Sequence, residues 1–502
     1  MISRSFATVK NNQVIPLVDI PEYSYPEFLD TIISFLADNI ARHCVNYFGY
    51  RDGENLKLIC CVADDDAHNI YLASTSMVLT DQLPSFTARN SIFEMFEREI
   101  HENYGVCYID HPWLKPYRFA HNRVNEDDTI ANYPFYQIDS EELHEVGVGP
   151  IHAGIIEPGH FRFICNGEQI INLEIQLGYQ HRGVEKLFLN KKRLLELTTI
   201  AENIAGDTVV GHTTAFANVW ESLCGFETPV SLHFARVLAL ELERIAIHTG
   251  DLAAICGDMA YQLGNSVYGR LRTPIINFLQ EWCGNRLAKG LIRAGKTNYP
   301  FTEELAARLR EVLKAYERDF DEMTAKFFTL PSALSRMEKT GVLNYSKILE
   351  IGAVGMAARS SGLVRDIRLS HPYNHYSSFV HIPIIKNHGD VYSRAQLRRE
   401  EIYQSIAYIR GMLSNIPQND LLPSPDLSPK PNSCAIALVE GWRGEICHCA
   451  ITDSKGELLI YKVKDPSHHN WMALAQAVRN NEISDFPLCN KSFNLSYCGH
   501  DL

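Results

Sequence analysis

The sequence predicts an α+β domain over residues 1–120, a linker over 121–144, and a mainly α domain with small β regions over 145–502. Three observations predict this division. Alternating apolar stretches at 56–62 and 70–78, split by Asp64-Asp65-Asp66, follow a helically spaced stretch at 28–47, the mix expected of α+β structure. Residues 121–144 collect Asn122, Asn125, Glu126, Asp127 and Asp128 with little apolar periodicity. Beyond Val146, long patterns of helical period dominate.

Taken in order, Ser91 opens a helix with a capping box formed with Glu94, and 95–100 continues it as an amphipathic run. Pro112 and Pro116 then force 111–118 into an extended surface segment. A short β region at 161–177 precedes helical patterns at 185–225, 229–265, 270–292, 302–326 and 392–413. The proline-rich stretch 423–429 is a loop. Strands follow at 433–439, 444–452 and 458–463, then a helix at 470–479. The terminal segment 485–502 is apolar and aromatic, so it is expected to dock inside the protein instead of fraying. There is no internal repeat.

At 502 residues and 46% hydrophobic, the chain has ample material for a large core in two to four domains. Its formal charge of -13 argues against nucleic acid as a partner. No apolar run approaches the roughly 18 residues a membrane helix needs. Met1-Ile2-Ser3-Arg4-Ser5-Phe6 has no apolar core, so no signal peptide is expected. The thirteen cysteines contain no Cys-x-x-Cys pair and are expected as free thiols, mostly buried. Cys447-His448-Cys449 lies in an alternating stretch that sets both thiols on one face, a poor metal site with two donors.

Five motifs stand out. Gly149-Pro150-Ile151-His152 continues to His160 as a turn before a strand, with His152 and His160 as candidate donors to a ligand. His181-Arg182-Gly183-Val184-Glu185-Lys186 puts Glu185 at a helix start, where the dipole favours a carboxylate. Helix capping and a proton relay are both open roles for it. In 201–212, small residues at 205, 206 and 211 permit close backbone approach, and Asp207 in apolar company requires a partner or a shifted pKa. Glu440-Gly441-Trp442-Arg443-Gly444-Glu445 places Arg443 where it can fix an anionic or polar group. The tail supplies Tyr497.

The order and spacing of these signals over about 90–502 resemble the catalytic large subunit of group 4 nickel–iron hydrogenases of the formate hydrogenlyase type. In that family a part like the 30 kDa subunit of complex I is fused to one like the 49 kDa subunit. Residues 96–117, with Glu97-Arg98-Glu99 and His111-Pro112, carry the first likeness. Gly149-Pro150-Ile151-His152, His181 to Lys186, Gly284-Asn285-Arg286, Gly290-Leu291-Ile292-Arg293 and Gly389-Asp390-Val391-Tyr392 carry the second. The resemblance implies two Cys-x-x-Cys pairs. Their registers fall here on Ala205 with Thr208 and on Ser496 with Gly499, and Cys498 is one place off. The maturation tail that follows the second pair in that family is not expected either.

Without four thiolates the nickel–iron centre has no ligand set, so hydrogenase activity is not expected. The resemblance then implies an oxidoreductase-complex subunit that binds no cofactor itself. An iron–sulphur small subunit and complex-I-like or antiporter-type membrane subunits are its expected partners. It is expected to sit peripherally on the cytoplasmic side of the cell membrane through them. Quinone is a candidate acceptor, although the family's quinone histidine aligns near Ile156 or Pro158 and its tyrosine with Gly206. Glu185 and Asp207 are the expected proton relay and Arg443 the positioning group. His152, His160, His212 and Tyr497 are candidate pocket residues. A quinone-reducing subunit with a rearranged site, a non-catalytic scaffold, and a different metal at the old site are the alternatives.

Overall fold

The computed structural model describes residues 6–79, 82–153, 156–418 and 426–502; Met1 to Ser5, Gly154 with Ile155, and Pro423 to Pro425 of the proline-rich stretch lie outside them. The fold is mixed α/β, and no helix among the described residues is long and apolar enough to cross a membrane.

The N-terminal helix, Tyr25–Asp38, starts at a capping box between Ser24 and Glu27, with Pro26 in the first turn where no backbone donor is needed. It buries Phe28, Leu29, Ile32, Phe35 and Leu36. The single helical stretch expected at 28–47 is corrected here: the helix ends at Asp38 and Arg42–Asp52 is a strand. Cys44 and Tyr47 face the cluster under the helix, while Val45 and Phe48 face the main core. A bulge after Cys44 accommodates the switch. That two-sided apolar strand mimics helical spacing over a short window.

Arg42–Asp52, Asn55–Asp64, Asn69–Val78 and Ala7–Val9 form an antiparallel sheet, with Glu22–Tyr23 added parallel to Asn69–Val78. The sheet's second face, through Ile59, Cys61, Ala63, Ile70 and Leu72, is part of the large core. Val14–Pro16 pairs with Ser433–Glu440, so N-terminal residues complete the distal four-stranded sheet.

Two further expectations change at the next helix, Glu94–Tyr104. Ser91 does not form a capping box with Glu94. Asn90 caps the turn by accepting from Ile92 N, Ser91 Oγ donates to Glu350 O, and Glu94 pairs with Arg98. The polar side of this helix does not face solvent: Glu97, Glu99 and Glu102 are all buried. Glu102 accepts from the backbone N–H groups of Tyr117, Arg118, Phe119 and Ala120 at 2.8–3.2 Å. This draws 117–120 inward, so the predicted surface segment ends as a buried one. Its prolines do keep it extended, but extension does not dictate exposure.

In the larger part, His144–Val148, His160–Asn166 and Gln169–Gln176 form an antiparallel sheet. The helix expected at 185–225 is broken into Val184–Asn190, Leu194–Ala201 and Val209–Cys224. The next pattern is the 29-residue helix Val230–Asp258. The following helix is Gln262–Cys283, shifted toward the N-terminus of the expected 270–292 and stopped at Gly284 with φ +75°. Glu303–Phe327 and Val391–Met412 match their patterns.

Ser433–Glu440, Glu445–Thr452 and Leu458–Lys464 complete the four-stranded sheet. Arg359 ties it to the helices, bonding Glu440 at 2.7 Å and Glu401 at 2.6 Å, and His248 also meets Glu401 at 2.7 Å. Every member is buried, so losing one would leave uncompensated charge, at a cost of about 3–5 kcal/mol. The tail docks inside as expected. Asp501 accepts from Gly178 N and Gln180 N, and Leu502 O accepts from Arg182 N.

Candidate functional site

The break after Leu194–Ala201 builds the site. Its backbone turns at 202–208 because Glu202 leaves the helix to accept from Gly290 N and pair with Arg293, both at 2.7 Å. The next helix restarts at Val209, where buried Glu243 accepts from Val210 N and Gly211 N and so satisfies two orphan donors of the first turn. Asp207 and Thr208 are thereby held at a helix entrance. Of the three small residues in this segment, Gly211 is the tight one. A Cβ there would meet Ile446 Cδ1 at 2.7 Å, whereas one on Gly206 would meet nothing within 4 Å.

Arg443 reaches this entrance from the turn between the strands Ser433–Glu440 and Glu445–Thr452. Gly444, at φ +141°, lets that turn press against Gly355. Arg443 Nη1 and Nη2 donate to Asp207 Oδ1 at 2.8 Å and Oδ2 at 2.5 Å. Nη1 also reaches Thr208 Oγ1 at 3.1 Å and Nε reaches Asn494 O at 2.5 Å. The guanidinium lies 3.9 Å over the Trp442 ring, whose Nε1 donates to Asp207 O. Burial pulls the Arg443 pKa down, but Asp207, Asp465 and Asp251 outweigh it, so the cation is retained. Four of the five guanidinium N–H groups are thus engaged, and the side chain bridges the 207–208 turn to the tail.

Arg182 clamps the same two segments, donating to Asn203 O and Ile204 O on one side and Cys498 O on the other. The two segments that carry the positions where the resemblance puts metal-binding cysteines are therefore joined. The side chains there are a methyl, two hydroxyls and a hydrogen. Ser496 Oγ is used as a helix cap, accepting from Gly499 N at 2.9 Å. Gly499 has no room for a side chain: a Cβ would meet Asp465 Oδ2 at 2.7 Å and Ser496 Oγ at 2.8 Å. This donor set does not fit a nickel–iron centre. Among the described residues, no cluster of three or more His, Cys, Asp or Glu groups has the arrangement of a metal site.

Asp465 begins a chain of buried polar groups. His212 Nε2 lies 3.0 Å from its Oδ2, His212 Nδ1 lies 3.1 Å from His448 Nε2, and His448 Nδ1 lies 2.7 Å from Tyr461 Oη. One proton assignment satisfies all three contacts: Tyr461 donates to His448, His448 to His212, and His212 to Asp465. Burial would raise the Asp465 pKa, but His212 and Arg443 bring it down to about 2. Burial holds His448 well below the usual histidine range. His212 is thus fully buried, with both ring nitrogens engaged in this chain.

Glu185 lies in a different cluster. Gly183, at φ +68°, precedes the Val184–Asn190 helix and turns Glu185 toward Lys462. Lys462 Nζ donates to Glu185 Oε2 at 2.7 Å and to Glu99 Oε1 at 2.5 Å, and Arg118 also meets Glu99 at 2.8 Å. With His181 and Glu102 they line a cavity of about 280 Å³. Burial pushes the Glu185 carboxyl up, whereas at Glu99 Lys462 and Arg118 overcome burial and hold it down. The two carboxylates around this one lysine thus shift in opposite directions.

His152, His160 and Tyr497 meet at a third place. His152 Nε2 bonds Gly159 O at 2.9 Å, and His160 Nδ1 lies 3.2 Å from Gly149 O. Tyr497 packs so closely on Gly159 that a Cβ there would meet its ring at 2.6 Å. Its phenol is pushed by burial up to about 12. Glu157 accepts from Cys498 N, tying this loop to the tail.

The structure thus joins Asp207 with Arg443 and sets Glu185 apart. Lys462, Glu99, Asp465 and Asp501 escape a reading of the sequence. Lys462 and Lys464 carry a usable signal, since two lysines at alternate positions of an apolar strand must share one face. Glu99 carries no local signal, because its partners are 363 and 19 residues away.

Residues 264–432 match the family described as the 49 kDa subunit of respiratory-chain NADH dehydrogenase. Over 455 residues the chain is 27% identical to hydrogenase-4 component G of Escherichia coli, covering 86% of this chain and 78% of that protein. It is 26% identical to formate hydrogenlyase subunit 5 of the same organism, covering 83% and 76%. It is 29% identical over 344 residues to an NADH-quinone oxidoreductase subunit of Dehalococcoides mccartyi, covering 68% and 93%. These matches place the chain among the relatives of the complex I 49 kDa subunit and the group 4 hydrogenase large subunit.

Proposed function

We propose that this chain is a peripheral subunit of a membrane-bound, complex-I-like oxidoreductase assembly in which the nickel–iron site has been given up. The pocket is reused for another substrate or for coupling redox chemistry to ion transport. The observation that supports this most is the Asp207–Arg443 fork, set where four sulphur donors would have to converge. A buried guanidinium with four of its five N–H groups bonded brings a cation to that point without any metal and keeps one donor for a polar group.

In this account electrons come from an iron–sulphur small subunit, and membrane subunits of the antiporter type hold the complex at the cytoplasmic face. The relatives named as hydrogenase-4, formate hydrogenlyase and NADH-quinone oxidoreductase subunits favour such partners. The chain's own residues would position and move protons. Arg443 orients a polar group, Asp207 fixes Arg443, and the Glu185–Lys462–Glu99 unit holds a proton at its carboxylates. The N-terminal part would correspond to the complex I 30 kDa subunit.

A second account, a quinone-reducing subunit, is favoured by the packing of Tyr497 on the 149–160 loop beside His152 and His160. The test for both is turnover by the purified assembly. The main account predicts no hydrogen-dependent dye reduction and loss of its donor-driven activity in Arg443→Met with the complex still assembled. Quinone-dependent turnover that is lost in Tyr497→Phe would select the second account. Hydrogen turnover, or full donor-driven activity in Arg443→Met, would overturn the first.

A further inference from the structure

A cavity of about 400 Å³ lies away from the Asp207–Arg443 site, between the Glu94–Tyr104 helix, the strand Gln169–Gln176 and the helix Ser467–Ala477. That volume is within the range of small-molecule sites. Its walls are largely apolar and aromatic, including Trp113, Tyr117, Leu173 and Met472. Its buried charged groups are already paired. Arg98 bonds Glu94, Lys115 O and Pro116 O, and Glu174 pairs with Lys115 and accepts from Tyr136 N.

Two lining residues are different. Trp471 and His500 are each 2% exposed, yet Trp471 Nε1 and His500 Nε2 have no hydrogen-bond partner in the structure. Buried polar atoms are nearly always bonded, so an orphan pair beside one cavity points to a bound molecule. The roles of the two atoms are fixed. Indole Nε1–H only donates. His500 Nδ1 lies 2.9 Å from Asp501 Oδ1, and that carboxylate also accepts from Gly178 N and Gln180 N. Nδ1 therefore carries the proton, and burial disfavours a second one, leaving Nε2 as an acceptor. A ligand that satisfies both atoms accepts from Trp471 and donates to His500, which a hydroxyl group can do.

We propose that this cavity binds a flat, largely apolar small molecule carrying a hydroxyl group, held between Trp471 and His500. The proposal is independent of the reaction assigned to the chain. Trp471 also packs on Tyr497, with ring centroids 4.8 Å apart, so an occupant would abut the tail.

The test is equilibrium dialysis of the full chain with 2-naphthol and, in parallel, naphthalene. Saturable binding of 2-naphthol at one equivalent is expected, about tenfold tighter than naphthalene, the worth of one or two net hydrogen bonds. Trp471→Phe keeps the aromatic wall and should abolish that preference while leaving naphthalene binding unchanged. Met472→Trp, at a partly exposed wall position, should block both. Circular dichroism confirms that each variant is folded. No saturable binding, equal binding of the two probes, a preference that survives Trp471→Phe in folded protein, or binding undiminished in Met472→Trp would each overturn the proposal. Water alone would then satisfy the two atoms.

Discussion

Arg443 grips Asp207 through both terminal guanidinium nitrogens, at 2.8 and 2.5 Å, while its Nε holds the carbonyl of Asn494. One side chain thus locks the 207–208 turn to the terminal segment. Asp207 keeps 36% of its side chain exposed, so solvent screens part of the pair, whereas Arg443 is buried. Asp207→Asn should cost about 1–2 kcal/mol, and Arg443→Met, which removes every bond of the fork, about 3 kcal/mol. Denaturant unfolding reads both. Losses below about 0.5 kcal/mol for both would mean that the fork is incidental.

Glycine substitutions separate crowded from open positions. Gly499→Ala puts a methyl 2.7 Å from Asp465 Oδ2, and Asp465 cannot retreat because His212 and Ser467 N hold it. A loss of about 1–3 kcal/mol is expected. Gly206→Ala meets nothing within 4 Å and should change stability by no more than about 0.5 kcal/mol. Thermal unfolding of the pair decides, and equal effects would contradict the crowding at Gly499.

Acid should act through Asp465. Its folded pKa of about 2 is below the ordinary value of 3.8, so its contribution is complete above the unfolded pKa and is lost as pH falls through the folded one. Glu445, held down by Lys464 and His43 against burial, acts in the same direction. Stability should therefore fall between about pH 4 and pH 2. Asp465→Asn should remove about 2 kcal/mol of that slope. An unchanged slope in the variant would show that the carboxylate is not held by His212 and Arg443.

Lys462→Met leaves Glu99 and Glu185 facing each other without the shared cation. Glu99 keeps Arg118, but the Glu185 carboxyl, already raised by burial, rises further above its unfolded value, and stability is lost as pH rises through it. The variant should lose about 3 kcal/mol near pH 8 and markedly less near pH 5. Lys462→Met with Glu185→Gln should recover part of the loss. Equal losses at the two pH values would contradict the shared-proton unit.

Much of the larger part is legible in the sequence because its signals are local. The helix Glu303–Phe327 and the strands Ser433–Glu440, Glu445–Thr452 and Leu458–Lys464 follow apolar period alone. Where the sequence misleads, tertiary partners decide. Asn90 displaces Ser91 as the cap, Glu102 pulls 117–120 inward, and Glu202 turns the chain out of a helix that the periodicity at 185–225 would continue. Asp207 and Arg443 can each be singled out as needing a partner. That they need each other is a tertiary fact, since 236 residues separate them. The same holds for Glu185, whose partner Lys462 lies 277 residues on.

The most direct test is the nickel content of the purified assembly, measured by mass spectrometry, because nickel, unlike iron, reports on that one site. With Ala205, Thr208, Ser496 and Gly499 in the four cysteine registers, nickel should be far below one atom per chain, and hydrogen-dependent dye reduction absent. One nickel per chain, retained after chelation and lost in Asp207→Ala or Cys498→Ala, would contradict the account at its centre.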